Sequence, residues 1–170
     1  VNLMWMLALY AGMWRLGRQL GLPPLLAWTA IALHCSLPLT SSLLAGMQTE
    51  LPTSAVLVGL TLLIGDARTI TARRLASIAT LAGLLLAIKV SNALLLLPLA
   101  AWLLVRSASS MPWKSLPACV MLGTFIALPS YFYAQVIAGN PFLPLLNGVF
   151  KSPYFMLENW KDPAWMHPVD

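Results

Sequence analysis

LASIATLAGLLLAIKVSNALLLLPLAAWLLV, residues 75–105, is the part of the sequence that determines how this chain folds. Two apolar runs are separated in it by Lys89, Ser91 and Asn92. If the whole stretch formed one helix, a lysine would lie at the centre of a membrane span, at a cost of about 3 kcal/mol. Two shorter helices would instead place these polar residues at a membrane boundary, where water can hydrate them.

The distribution of basic residues favours two helices. With two, most of the lysines and arginines fall on one side of the membrane: Arg15, Arg18, Arg68, Arg73, Arg74, Arg106 and Lys114. Only Lys89, Lys151 and Lys161 fall on the other side. Cytoplasmic loops of membrane proteins are enriched in lysine and arginine. The sequence therefore predicts that the break at Lys89 faces away from the cytoplasm.

The composition places the whole chain in a membrane. Its residues are 59% hydrophobic and 9% charged, whereas soluble domains average roughly 45–50% apolar and about 25% charged residues. Interruptions in the apolar pattern predict an all-α, polytopic transmembrane bundle of about six spans within residues 1–138. The spans are expected near residues 2–14, 24–39, 51–64, 75–88, 92–105 and 116–137.

Residues 139–170 differ in character from everything before them. The segment GNPFLPLLNGVFKSPYFMLENWKDPAWMHPVD is rich in proline, asparagine and aromatic residues. It is too polar to span a bilayer and too apolar to be a solvated tail. The charge asymmetry places it opposite the basic loops. We therefore expect an ordered extracytoplasmic loop region that packs on the membrane surface.

Several function classes are disfavoured by the charges and by missing motifs. The net charge of +5 comes from basic residues in short loops between apolar runs, so it indicates topology rather than nucleic-acid binding. Cys35 and Cys119 lie within apolar spans and have no metal-ligand spacing, so we expect small buried hydrophobic residues. No cofactor motif is present. A divalent metal is compatible with the carboxylates, but no motif supports one.

Glu50 stands at the start of the third expected span, in QTELPT. A carboxylate at the bilayer boundary must be paired or hydrated. Glu50 is therefore a candidate catalytic base, metal contact or binder of substrate hydroxyls. It suits the start of a helix equally well, with Pro52 close to the first helical position. Both interpretations remain open.

The other candidate site residues are a lysine and an asparagine in each of two regions. Lys89 either extends its ammonium group to the outer interface or points inward to hold a lipid phosphate beside the next helix N-terminus. Lys151 either neutralises a phosphate or faces water. Asn92 and Asn140 complete the predicted substrate-binding set. His34, in the middle of a span, is expected to hydrogen-bond to a neighbouring helix.

The tail contains AGNPFLPLLNGVFKSPYF, residues 138–155, followed by NWKDPAW, residues 159–165. These stretches resemble TGNP-x-FP-x-N-x-x-FKSPY and NFRDPRW segments of bacterial polytopic glycosyltransferases of the GT-C type, relatives of the dolichyl-phosphate-mannose mannosyltransferases. The matching residues are Gly139, Asn140, Pro141, Pro144, Asn147, Phe150, Lys151, Ser152, Pro153, Tyr154, Asn159, Lys161, Asp162, Pro163 and Trp165. ELPT at residues 50–53 and LLLLPLAAWLL after Lys89 also resemble this group, so the similarity extends from residue 50 onward.

The resemblance implies a multi-pass enzyme of the bacterial inner membrane that acts in the cell envelope. Such an enzyme transfers a sugar from a polyprenyl-phosphate donor to an acceptor on the extracytoplasmic face, so its partners are the bilayer and the lipid-linked donor. A carboxylate activates the acceptor hydroxyl, and cations stabilise the departing phosphate. The group carries its key acidic residue in a large first outer loop, which this sequence does not show. We therefore expect a fragment that lacks the catalytic base, and Glu50 is not given that role by position alone.

Two other functions fit the same residues. In a transporter or lipid flippase, Glu50 and Lys89 would line a substrate path. Transporters usually show internal repeats, and none is visible in this sequence. A non-catalytic membrane subunit or assembly factor is the remaining alternative. An acidic pair in an upstream outer loop would favour the enzyme over both.

Overall fold

A computed structural model describes residues 2–46, 48–65, 69–143 and 145–154 of the chain. Within these residues all regular structure is helical, which confirms the predicted all-α class. The α-helices are α1 (Asn2–Gln19), α2 (Pro24–Ser36), α3 (Pro38–Ala45), α4 (Glu50–Gly65), α5 (Ala72–Ile88), α6 (Ala93–Ser107), α7 (Leu116–Ala138) and α8 (Asn147–Phe150). The chain divides into two compact units, Val1–Ile126 and Ala127–Asp170, and each is described by itself.

Two helical segments are long and apolar enough to cross a membrane, Val90–Ser110 and Trp113–Ala138. The pair formed by α2 and α3 adds a third if it is one bent span, and α4 is apolar but shorter. These segments show a membrane-associated helical protein. A helix lies at each of the six expected positions, but a full set of six spans stays a prediction.

The helix expected at residues 24–39 is interrupted, because the chain bends by 66° between α2 and α3. Pro38 has no N–H to donate to the carbonyl of His34, and it holds the preceding Leu37 in an extended conformation. The hydroxyl of Thr40 donates to that carbonyl instead, at 2.6 Å. The bend is therefore built into the hydrogen bonding of the helix pair.

Helices α1 and α4 lie side by side and run parallel. A Cβ atom on Gly12 would lie 2.7 Å from Val58 Cγ1, and one on Gly65 would lie 3.2 Å from Gln19 Nε2. Both pairs are separated by 46 residues, as a parallel register requires. At the start of α1, the amide of Asn2 donates to the carbonyl of Gly46 at 2.6 Å and so ties α1 to the end of α3.

Helix α5 runs antiparallel to α4, and the core of the first unit lies between these helices and their neighbours. Its buried members include leucines and isoleucines of α4 and α5: Leu60, Ile64, Leu75, Ile78 and Leu85. Helix α7 crosses α5 at Gly83 and Gly123, where a Cβ on Gly83 would overlap the carbonyl of Gly123. Only glycine permits this approach, which is common between membrane helices.

The first unit has a basic end. Arg74 Nε donates to the carbonyl of Leu63, and Arg106 Nη2 donates to the carbonyl of Gly65, both at 2.9 Å. Both arginines therefore lie at the C-terminus of α4, where a cation also complements the helix dipole. The two-helix interpretation of residues 75–105 requires Arg74 and Arg106 to share one end, and the structure confirms this.

Candidate functional site

The predicted break between α5 and α6 is present and is built around Lys89 and Asn92. Lys89 ends α5 in an extended conformation, and a 3-10 turn, Val90–Asn92, leads into α6. The Asn92 side chain turns back and donates to the carbonyl of Leu85 at 3.0 Å. This bond satisfies a carbonyl in the last turn of α5 that would otherwise lie at the end of the helix with a weak partner.

Asn92 also fixes the break to α4. Its amide donates to Thr53 Oγ1 at 3.1 Å, and the asparagine is 5% exposed. Thr53 lies three residues after Glu50, on the same side of α4. The contact between Asn92 and Thr53 therefore brings the start of α4 next to the end of α5.

Glu50 and Lys89 consequently form an ion pair, with Nζ and Oε1 4.0 Å apart. We call Asn2, Glu50, Lys89 and Asn92 the polar end of the first unit, opposite the basic end. The side chains of Glu50 and Lys89 are 49% and 54% exposed, so the pair contributes only about 0.2–1 kcal/mol to stability. Each charge also complements the dipole of its own helix, Glu50 at an N-terminus and Lys89 at a C-terminus.

The ion pair therefore serves the helix ends and still leaves both charged groups accessible. The capping interpretation of Glu50 is supported by its place in the first turn of α4. The ammonium group of Lys89 is half exposed, and its ion pair with Glu50 is loose at 4.0 Å, so the binding interpretation of Lys89 stays a prediction.

His34 and Tyr10 form a separate polar contact between α2 and α1. The Tyr10 hydroxyl lies 3.2 Å from His34 Nδ1, and the two rings meet edge to face with centroids 5.6 Å apart. The expected hydrogen bond between His34 and a neighbouring helix is confirmed. The structural role is sufficient to explain this histidine.

In the second unit, Asn140 and Asn147 organise the loop after α7. Asn140 donates to the carbonyl of Leu145 at 2.9 Å and accepts from the N–H of Phe142 at 2.9 Å. Asn147 donates to the carbonyl of Ser152 at 3.0 Å and accepts from its N–H at 2.9 Å. The side chains of Asn140 and Asn147 are fully buried. Asn140 therefore presents no polar atom to a substrate in this conformation, and the binding role predicted for it would require the loop to open.

Lys151 lies on the surface of the same loop, at the end of α8. Its backbone is left-handed, with φ of 57°, and its N–H donates to the carbonyl of Asn147 at 2.9 Å. Leu146, at the start of α8, is also left-handed, with φ of 55°. Left-handed conformations cost a non-glycine residue about 1–2 kcal/mol each. The hydrogen bonds of Asn147 hold the loop in this shape.

Some predicted residues fall outside the described part of the chain. These are Arg68, Pro144 and the second motif at residues 159–165. Within the described residues, no group of three histidine, cysteine or acidic side chains is placed to hold a metal ion. The sequence did not identify Thr53 as a partner of Asn92, because the two residues are 39 positions apart and meet only when α4 packs on α5.

Comparison with known proteins assigns no relative: no protein-family model, no curated protein and no solved structure matches this chain. The features of this chain that bear on its function are therefore the geometry of the polar end, the loop in the second unit and the sequence resemblance.

Proposed function

We propose that this chain is part of a multi-pass glycosyltransferase of the bacterial inner membrane, with a polyprenyl-phosphate sugar as its donor. In the proposed topology about six helices cross or enter the membrane, and the polar end and the C-terminal loop face the extracytoplasmic side. The observation that carries the proposal is the exposed ion pair of Lys89 and Glu50 at a helix break.

Lys89 has the role of binding the donor phosphate. Its ammonium group lies at the end of α5, close to where α6 begins, so the partial positive charge of the α6 N-terminus adds to its own. A charged lysine that is half exposed beside a membrane span lies at the depth where a lipid phosphate is found. Glu50 keeps the ammonium group in place while the site is empty.

The reaction follows the chemistry of lipid-linked sugars. The bond between the anomeric carbon and the phosphate oxygen breaks, and a bond from that carbon to the acceptor oxygen forms. The acceptor proton passes to a carboxylate, and the lipid phosphate leaves as an anion. In this chain Lys89 stabilises the negative charge that grows on the leaving phosphate. Lys151 is a second candidate cation, placed in the other unit.

The test is an assay of sugar transfer from labelled polyprenyl-phosphate sugars by the membrane protein that contains this sequence at its full length. Replacing Lys89 with methionine removes a charge-assisted hydrogen bond of about 1.5–3 kcal/mol, so the apparent affinity for the donor should fall by about tenfold or more. K89R should retain most of the affinity. Lys114→Met is the matched control, because Lys114 is an exposed lysine in a basic loop, distant in sequence from Lys89.

Unchanged donor affinity in K89M would remove Lys89 from the site. Absence of transfer from every polyprenyl-phosphate sugar, in a protein shown to be folded, would overturn the enzyme and leave the transporter or the assembly factor.

A further inference from the structure

The loop formed by residues 139–143 and 145–154 exposes an apolar surface that no contact within the described loop covers. Its exposed apolar side chains are Leu145, Leu146, Val149, Phe150 and Tyr154, with Val149 71% and Tyr154 68% exposed. The uncharged polar side chains Asn140, Asn147 and Ser152 of the same loop are buried, and Lys151 is exposed. This is the reverse of the arrangement in a loop that faces water.

Buried side-chain amides in the loop also make hydrogen bonds to its backbone, as a segment with little access to water requires. Asn140 accepts from the N–H of Phe142, and Asn147 bonds to both the N–H and the carbonyl of Ser152. A segment that enters the boundary of a bilayer needs this internal satisfaction, because each unpaired polar group there costs several kcal/mol.

The loop folds back along α7 rather than projecting away from it. Gly139, with φ of 67°, ends the helix, and the ring of Phe142 then lies 5.6 Å from that of Tyr131. Phe150 in turn lies 6.2 Å from Phe142. Since Tyr131 precedes the end of α7 at Ala138 by seven residues, it lies about 10 Å below that end along the helix axis.

The length of the helical segment that contains α7 shows how deep in a bilayer the Phe142–Tyr131 contact would lie. The helical segment Trp113–Ala138 has 26 residues, which is about 39 Å at 1.5 Å per residue. A bilayer measures about 40–45 Å with its headgroups and about 30 Å across its hydrocarbon core. The end of α7 therefore lies among the headgroups, and Phe142 and Phe150 lie close to the boundary of the hydrocarbon core.

We infer that residues 139–154 form a membrane-interface module whose Leu146, Val149 and Tyr154 enter the lipid bilayer. The occupant of the apolar surface is bilayer lipid, because the surface continues from a membrane span at the depth where acyl chains begin. Lys151 is exposed in the same loop, and a cation at this depth suits anionic headgroups. The inference does not depend on the proposed enzymatic activity.

The experiment measures the depth of a nitroxide label in the full-length protein, reconstituted into vesicles of phosphatidylethanolamine and phosphatidylglycerol. Cys35 and Cys119 are first replaced by alanine, and Val149→Cys then carries the label. Accessibility to oxygen, which concentrates in lipid, is compared with accessibility to a nickel chelate, which stays in water. Leu97→Cys, on the exposed side of α6, is the lipid control, and Ser109→Cys, in a basic loop, is the water control.

A label at Val149 that oxygen reaches more readily than nickel, at a depth of about 5–10 Å below the phosphates, is the expected result. Tyr154→Cys should give the same result and protects against a local effect of one label. A label that nickel reaches as readily as at Ser109 would overturn the inference. A label that is immobile and reached by neither reagent would also overturn it, because protein would then cover the surface.

Discussion

Replacing Asn92 with alanine tests whether this one side chain holds the polar end together. Its amide makes two hydrogen bonds, to Thr53 Oγ1 at 3.1 Å and to the Leu85 carbonyl at 3.0 Å. Both bonds are lost in N92A, so the Thr53 hydroxyl and the Leu85 carbonyl each lose a partner. Asn92 itself is only 5% exposed, so water cannot easily replace its amide. The helix break should then loosen, and Glu50 and Lys89 should separate.

The two bonds set the expected magnitude. A neutral hydrogen bond contributes a net 0.5–1.5 kcal/mol, about 1, to stability, and bonds between membrane helices average about 0.6 kcal/mol. We therefore expect N92A to lower the free energy of unfolding by about 1–3 kcal/mol. A loss of about 2 kcal/mol changes the unfolding equilibrium by about 30-fold. Thr53→Val removes only one bond and should cost about half as much.

Equilibrium unfolding of the full-length protein in mixed micelles of a mild detergent and dodecyl sulfate measures these losses. Ser91→Ala is the control, because Ser91 is the exposed neighbour in the same turn. The double variant of Asn92 and Thr53 should be more stable than the sum of the single losses predicts, since both remove the same bond. If N92A is within about 0.5 kcal/mol of the wild type, or matches S91A, the break is not held by Asn92.

Three further predictions follow from other contacts. Gly83→Ala should destabilise the protein by about 1–3 kcal/mol in the same assay, because its Cβ would overlap a carbonyl of α7; Gly59→Ala, which meets only ordinary contacts, should not, and equal losses would contradict the glycine crossing. Asn147→Ala should speed trypsin cleavage after Lys151 by about tenfold. Loss of the two hydrogen bonds to Ser152 should lower the free energy of opening the loop by about 1.4 kcal/mol. An unchanged cleavage rate would show that Asn147 does not hold the loop closed. Glu50→Gln should lower the free energy of unfolding by less than about 1 kcal/mol, because the ion pair is half exposed; a loss several times larger would mean a buried pair.

The helix break was predictable because charge and polarity within an apolar run are local signals. Lys89 and Asn92 interrupt residues 75–105, and the cost of burying them in lipid indicates a break without any knowledge of the fold. The partner of Asn92 was not predictable, because Thr53 is distant in sequence and approaches only when α4 packs on α5. Likewise, the assignment of Arg74 and Arg106 to one end was predictable from topology, but their bonds to the end of α4 were not.

One expectation is wrong: Cys35 was expected to be a buried hydrophobic residue and is exposed, whereas Cys119 is buried. Two other local features could not be predicted from the sequence, for physical reasons. Residues 24–39 form a continuous apolar run, so hydropathy concealed the bend that Pro38 imposes. Asn140 stood out as a polar residue in an apolar tail, and its polarity made it a candidate for substrate binding. Its side chain is buried, because an asparagine that bonds to nearby backbone can replace the hydrogen bonds of a turn.

The orientation of the polar end in the membrane underlies the proposed function, and cysteine accessibility in intact cells measures it. Ser91→Cys lies in the exposed turn beside Lys89, and Ser109→Cys lies after Arg106 at the basic end. With Cys35 and Cys119 replaced, a membrane-impermeant maleimide should label Ser91→Cys in intact cells and Ser109→Cys only after lysis. The opposite pattern, with Ser109→Cys labelled from outside and Ser91→Cys protected, would place the Glu50–Lys89 pair in the cytoplasm and contradict an extracytoplasmic donor site.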